Sequence, residues 1–402
     1  MRPFEGRRIL LGVTGGIASY KSVMLARLLT QAGAEVDVVM TRAALEFVGA
    51  VTFEAVTGRK SYAEIFGTGN ALDHIRLPRE ANAVVVAPAT ADFIARVAHG
   101  HADDLLTACL LANTSPVLVV PAMNDRMWAN KQTRNNVIHL RELGYSILEP
   151  DTGPLAAGED SGPGRMPEPD TIMTHVARLL ERSGTLQGRR VVVTAGATRE
   201  PIDPVRFISN HSTGRMGVAL ADAAWRRGAQ VTLIAGHMEI AAGAGVDVVN
   251  VRTTDEMAGA VASSLPTADV LVMAAAPADY RSAETAPQKM KKREGKSRLL
   301  ELRPTVDILK DTKTARRSGA VVVGFALETE NEIPNARAKL DEKDLDLVVL
   351  NSATEKGAGF GGDTNRVTLI SASGEPEPLP LMTKVEVADA ILDRVERLLN
   401  GR

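Results

Sequence analysis

The chain has 402 residues, more than one hydrophobic core usually organises, so two domains are expected. Hydrophobic residues make up 45%, charged residues 24%, and the formal net charge is -2, which points to neither a nucleic-acid nor an acidic-membrane partner. A single cysteine, Cys109, excludes an intrachain disulfide and any multi-cysteine metal site.

The opening MRPFEGRRILLGV carries no secretory pattern, and no apolar run approaches the roughly 20 residues that span a bilayer, so a cytoplasmic protein is expected. Ile9 to Val13 is an apolar run that enters the turn GVTGGIASYK, followed by an apolar-periodic stretch to Gln31 and a second run, Val36 to Met40. The cycle returns at Arg190 to Thr194, with GATRE, a long loop, the helix-like GRMGVALADAAWRRG and a run from Val231 to Ala235. Strand, glycine-rich turn, helix and strand, given twice, predict an α/β fold of two doubly wound, Rossmann-like domains.

Further strands are predicted at Ala83 to Ala87, Val117 to Val120 and Tyr145 to Leu148 in the first half. In the second they fall at Val248 to Val251, Val270 to Ala274, Val321 to Phe325, Leu347 to Leu350 and Val367 to Ile370, with a closing helix over Lys384 to Leu399. Near-continuous apolar runs suit parallel strands covered on both faces. The polar segment ERSGTLQG reads as the linker, which gives domains of 1–185 and 186–402. Asp151 to Glu168, dense in Gly and Pro, and Arg281 to Ser297, with Lys289, Lys291, Lys292, Arg293 and Lys296, read as loops. The second is either a solvated face or a binding element.

The turn from Gly12 to Ser19 enters a helix, where glycines let a ligand approach the backbone and free amides attract a phosphate. Gly15 and Gly16 are adjacent, so this is not the dinucleotide fingerprint; a phosphate-bearing cofactor other than NAD is expected, with a plain tight turn as the alternative. Thr90 and Asn124 each follow an apolar strand, where ligands of open α/β sheets collect, although turn chemistry alone would also place them there. The loop Thr194 to Gly217 combines Asn210, Ser212 and Arg215 near a helix start, a natural setting for anion recognition.

GGIASYK at 15–21, His74–Ile75, APATADFIARVAHGHADDLL at 87–106, PAMN at 121–124 and GPGRM at 162–166 resemble the flavin-containing cysteine decarboxylases. Specifically, they resemble the decarboxylase part of the bacterial bifunctional phosphopantothenoylcysteine decarboxylase/phosphopantothenate–cysteine ligase family. The second half resembles that family's ligase part through TAGATREPIDPVRFISNHSTGRMG, AAAPADYR, KMKK, VDIL, GFALET, KLDEKDLD and NSATEKGAGFG. Pro277 stands where valine is usual and Ser282 where proline is usual.

The resemblance implies FMN in the first half, with Gly15, Ser19 and Thr41 near its phosphate and Thr90 near the flavin. It implies His74 as acid–base residue, Asn124 on the substrate carboxylate, and Ala102 to Leu106 at a site shared between subunits. A substrate lid would include Ala157, Gly164, Arg165 and Met166. In the second half it implies CTP with magnesium (Mg2+), and joining of 4'-phosphopantothenate to cysteine through an acyl-cytidylate. The product, 4'-phospho-N-pantothenoylcysteine, would then be decarboxylated. Lys289 would be the main phosphate-side cation, Asp279, Phe325, Lys339 and Lys343 would bind CTP, Val306, Asp307, Ile308 and Leu309 would wall its pocket, and Asn210 would position the intermediate. Trimeric first domains and dimeric second domains would give a dodecamer.

One departure matters. The family carries a proton-donating cysteine where this chain reads Leu155–Ala156–Ala157–Gly158. An active ligase with an impaired decarboxylase is therefore one alternative, and a flavin-binding regulatory protein is another; the intact second-half motifs argue against the latter.

Overall fold

The computed structural model describes residues 3–66, 71–154, 161–181, 184–291, 299–328, 330–352, 362–372 and 374–401. The chain divides into two compact units, 1–181 and 182–402.

The first unit is built on β1 (Arg8–Val13), β2 (Glu35–Met40), β3 (Ser61–Tyr62), β4 (Ala83–Ala89), β5 (Val117–Pro121) and β6 (Ser146–Ile147). They form one parallel sheet in the order β3-β2-β1-β4-β5-β6. All seven residues of β4 are buried, as a central parallel strand requires. Alternate side chains feed two cores. Ile9, Leu11, Val13, Val38 and Val85 face one side with Leu25 and Leu29 of helix Ser19–Gln31, while Leu10, Val39, Val84 and Val86 face the other with Phe93 and Cys109. Burial pushes the Cys109 thiol up to about 12, which makes it inert filler rather than a nucleophile at neutral pH. The Gly/Pro-dense segment forms an antiparallel hairpin, β7 (Asp151–Pro154) and β8 (Ser161–Arg165), and helix Pro169–Glu181 closes the unit.

The second unit repeats the plan with β9 (Arg190–Ala195), β12 (Gln230–Ala235), β13 (Asp247–Asn250), β14 (Val270–Met273), β17 (Val321–Glu328) and β18 (Leu347–Ser352). The sheet order is β13-β12-β9-β14-β17-β18, extended by β20 (Val367–Ser371), antiparallel to β18, and then β21 (Glu377–Pro378). Small hairpins join β10 (Arg199–Pro201) to β11 (Phe207–Ser209) and β15 (Tyr280–Ser282) to β16 (Leu302–Pro304). A further two-stranded sheet pairs β19 (Thr364–Asn365) with β22 (Met382–Thr383). Leu186 is fully buried in this unit's core. Helix Lys384–Asn400 packs on helix Arg215–Arg226, where Arg226 and Arg227 share Asp389 at 2.7 and 3.2 Å. Both units are doubly wound, with the first and fourth strands of the series side by side.

Among the described residues no helix is long and apolar enough to cross a membrane.

Candidate functional sites

In the first unit the chain reverses direction across the sheet between β1 and β4, and the crevice opens at their carboxyl ends. Thr14, buried just past β1, ties the two ends together. Its hydroxyl donates to the Pro88 carbonyl at 2.8 Å and accepts the Thr90 amide at 3.1 Å. Around that staple lies a cleft of about 840 Å³ lined by Gly15, Thr41, Thr90, Phe93, Arg96 and Leu105, among others. The size suits a cofactor.

Three strand ends pass directly into N-capped helices. Thr41 caps helix Arg42–Leu45, Thr90 caps helix Ala91–Ala98 and Asn124 caps helix Asp125–Ala129, each accepting a backbone amide through its side chain. Gly15 cannot be replaced without collision, because an added Cβ would lie 2.4 Å from the Ala43 side chain and 2.7 Å from its carbonyl carbon. The turn after β1 is therefore a bare backbone cradle, and its residues fit a phosphate-bearing flavin. Two arginines line this wall: Arg96 is held by Asp103 and Asp104, the second at 2.8 Å, and the exposed Arg42 lies 3.7 Å from Glu64.

The other first-half candidates fall elsewhere. Ser19 does not reach the cleft: it is fully buried and its hydroxyl donates to the carbonyls of Thr14 and Gly16, so it folds the turn from behind. His74, half-buried in the first turn of helix Asp73–Glu80, is not among the cleft residues. Asn124 lies beside the cleft residue Met127, its Oδ1 accepting the Arg126 amide at 2.9 Å. Of the expected lid, Gly164 docks on the Asn124 loop: its carbonyl accepts the Met123 amide at 3.0 Å, and a Cβ there would meet the Met123 oxygen at 2.2 Å. Arg165 pairs with Glu168 at 2.6 Å. Met166 is packed in the core at 1% exposed, and the buried Lys21 ammonium donates to its carbonyl at 2.7 Å. Ala157 lies outside the described residues.

The second unit repeats the staple. Thr194, near the end of β9, accepts the Ala275 amide on its hydroxyl at 3.1 Å. The cleft here, about 600 Å³, is lined by Asn210 to Gly217, Ala274 to Pro277, Asp279, Phe325 to Glu328, Lys339, Asn351, Asn365 and Lys384. Asn210 is fixed across it, donating to the Pro277 carbonyl at 2.8 Å. Lys339 donates to the Phe325 carbonyl at 2.7 Å, and burial, with Lys343 beside it, pulls its ammonium below the ordinary lysine range.

Asn210, Asp279, Phe325 and Lys339 thus share one cleft. Lys343 stands one helical turn behind Lys339 and pairs with Asp307 at 2.8 Å. Asp307 caps the short helix Ile308–Asp311. Ile308 and Leu309 are outside the lining of this cleft and are 4% and 6% exposed, packed in the core. Val306 is exposed and outside the cleft lining. Lys289 is also exposed and outside it, on a loop pinned to the β10–β11 hairpin by the Met290 amide donating to Asp203 at 3.1 Å. Lys292, Arg293 and Lys296 lie outside the described residues. Sequence reasoning gave Lys384 no role and placed Arg215 only loosely. They are isolated cations far apart in sequence, and only the fold brings both to the cleft.

Two switch-point clefts of this kind define a flavoprotein unit joined to a second nucleotide-type α/β unit. Residues 2–181 match the flavoprotein family, and residues 186–399 match the DNA/pantothenate metabolism flavoprotein C-terminal domain. The coenzyme A biosynthesis bifunctional protein CoaBC of Mycobacterium tuberculosis is 46% identical over 98% of this chain and 97% of its own length. That of Bacillus subtilis is 43% identical over 98% of both. A crystal structure of the C-terminal domain of a CoaBC protein is 37% identical over 55% of this chain and 100% of its own, with a TM-score of 0.47. The chain belongs to the family of bifunctional coenzyme A biosynthesis proteins, which combine a ligase with a flavin-dependent decarboxylase.

Proposed function

We propose that the second unit ligates cysteine to 4'-phosphopantothenate with CTP through an acyl-cytidylate. The first unit then decarboxylates 4'-phospho-N-pantothenoylcysteine to 4'-phosphopantetheine with FMN. The observation that carries this reading is the pair of separate clefts, one at each switch point, in a chain matched along its length by bifunctional relatives.

In the ligase unit a carboxylate must meet a triphosphate, so two anions have to be held together while charge develops. Asn210 would orient the acyl group, Lys339 and Lys343 would act from the helix behind β17, and Lys289 would reach the reacting phosphate from its exposed loop. No group of three or more metal-ligating side chains occurs among the described residues. Mg2+ would therefore arrive with the triphosphate and lean on the cleft carboxylates Asp279 and Glu328, the usual arrangement for this ion.

In the decarboxylase unit FMN would supply the reversible two-electron oxidation of the substrate's thiol end. The chain's part is to cradle its phosphate at Gly15 and Thr41, border the flavin with Thr90, hold the substrate carboxylate at Asn124 and move the proton with His74. Ile17, Tyr20 and Met24, spaced along one outward face of the first helix and its approach, are 69%, 55% and 52% exposed. That face supports self-association of the first unit, as a trimer within a dodecamer built on dimeric second units in the cytoplasm.

Ala157 favours a second reading of the last step, in which decarboxylation proceeds but proton delivery during the final reduction is slow. A methyl group cannot replace a thiol of ordinary pKa about 8.5 as donor. Ala157→Cys should then raise the yield of 4'-phosphopantetheine at the expense of an oxidised enethiol. Equal yields from both proteins, with no enethiol detected by mass analysis, would remove this reading. The main proposal is tested by flavin absorbance of the purified protein and by CTP-dependent diphosphate release. Diphosphate release should require 4'-phosphopantothenate, and its continued turnover, together with CMP release, should require cysteine as well; diphosphate release without 4'-phosphopantothenate would contradict it.

A further inference from the structure

Arg215 and Lys384 are the first residues of two different helices, Arg215–Arg226 and Lys384–Asn400, and both line the second-unit cleft. Lys384 is 7% exposed, and its ammonium donates to the Gly362 carbonyl. Burial pulls that ammonium below the ordinary lysine range, and Arg215 adds to the effect. Arg215 pairs through Nη1 with Asp363, while its buried Nε has no hydrogen-bond partner. Two cations are thus crowded beside a cleft, and the carboxylate that offsets them is on the rim, with its side chain 83% exposed. The helix behind Arg215 starts at Gly214 with no side-chain cap, so its first amides add partial positive charge at the same end.

We propose that Arg215 and Lys384 form a phosphate-binding end of this cleft, and that Asp363 is an internal competitor which a phosphoryl group displaces. An exposed carboxylate–guanidinium pair contributes little, because water screens it. A phosphoryl group offers several charged oxygens to both cations and to the helix amides, a stronger partner than one solvated carboxylate. The exchange breaks no covalent bond and frees Asp363 into water. If these contacts only fixed the segment at 362–365, removing any of the three side chains would loosen the cleft and weaken binding. A competitor predicts opposite signs. The proposal rests on the ligase reading for its natural ligand and not for its existence.

Calorimetry of the full-length protein with inorganic diphosphate reads the site without assuming a substrate. Lys384→Gln and Arg215→Gln should each weaken diphosphate roughly tenfold or more, the order of one lost charge-assisted contact. Asp363→Asn should tighten it by about two- to fivefold, as loss of a weak competing pair implies. Lys384→Arg guards against misfolding and should retain most of the affinity. Asp363→Asn binding diphosphate no tighter than the parent protein, or Lys384→Gln binding it unchanged, would overturn the proposal. Paired titrations then locate the source. Loss confined to CTP over CMP assigns the terminal phosphates of the nucleotide. Loss confined to 4'-phosphopantothenate over pantothenate assigns its phosphomonoester, and loss of neither overturns the proposal. A parent protein that binds diphosphate but performs no CTP-dependent ligation would sink the ligase reading alone.

Discussion

The two units use one framework to make two electrostatically different clefts. In each, a threonine at the end of the first strand accepts a backbone amide from the chain leaving the fourth, Thr14 from Thr90 and Thr194 from Ala275, both at 3.1 Å. In each, a glycine allows the closest approach: Gly15 lies against Ala43, and at Gly217 a Cβ would meet Ala195 at 2.5 Å. The first cleft is then finished with threonine caps and two arginines paired with carboxylates, Arg42 with Glu64 and Arg96 with Asp103 and Asp104. The second is finished with Arg215, Lys339 and Lys384. A cleft with bare backbone and neutralised cations suits a cofactor with one phosphate and a large ring. A cleft with three cationic side chains suits a polyphosphate. Topology fixes where a ligand binds, and the residues at strand ends and helix starts decide its charge.

The widest break between the units should come from His74→Asn. It is expected to lower carbon dioxide release by about 10²–10⁴-fold, the usual worth of a positioned proton carrier, with ligation untouched. Asn124→Asp should mainly weaken binding of the substrate carboxylate through repulsion. Rapid-quench product analysis against free 4'-phospho-N-pantothenoylcysteine checks both, and a fully active His74 variant would remove that residue from the mechanism. Lys289→Gln is the mirror experiment. Acyl-cytidylate formation should fall by roughly 10²-fold while flavin content stays constant. Near-normal ligation would return Lys289 to a solvated surface.

Gly15→Ala sharpens the comparison on the cofactor side. The added methyl collides with Ala43, so flavin should be held at least about tenfold more weakly while the second unit keeps its activity. Flavin released on gel filtration measures it.

How far the sequence announced this arrangement can be traced residue by residue. Parallel strands such as Ala83–Ala89 were legible because burial on both faces demands an unbroken apolar run. The short β3 was not, since Ser61–Tyr62 carries no such run. Thr90 and Asn124 were legible as strand-end positions. The inward turn of Ser19 was not legible, because a hydroxyl at a helix start can face outward or its own turn, and only the backbone path decides. The burial of Ile308 and Leu309 was hidden for a similar reason: apolar residues after a helix cap can serve as core. The partnership of Arg215 with Lys384 depends on two helices whose starts converge only in the fold.

The smallest predicted effect lies away from both clefts. Burial raises the Asp222 carboxyl to about 6, against the Gly243 amide at 3.1 Å and the charge of Arg226, which both pull it down. Raised above the unfolded value of 3.8, it makes the folded state bind the extra proton, so its contribution to stability falls as pH rises through that window. Asp222→Asn should stabilise the protein at pH 7.5 by on the order of 1–3 kcal/mol, and the advantage should fade toward pH 4. Thermal unfolding at the two pH values reads the sign.

The central claim is that one chain carries both reactions in separate units, and a product balance tests it most directly. Purified protein supplied with 4'-phosphopantothenate, cysteine, CTP and magnesium should release diphosphate as 4'-phospho-N-pantothenoylcysteine forms, with carbon dioxide following. When 4'-phospho-N-pantothenoylcysteine is supplied without CTP, carbon dioxide release should continue and diphosphate release should stop. Carbon dioxide release that still depends on CTP under that second condition, or ligation lost together with flavin in Gly15→Ala, would contradict two independent sites.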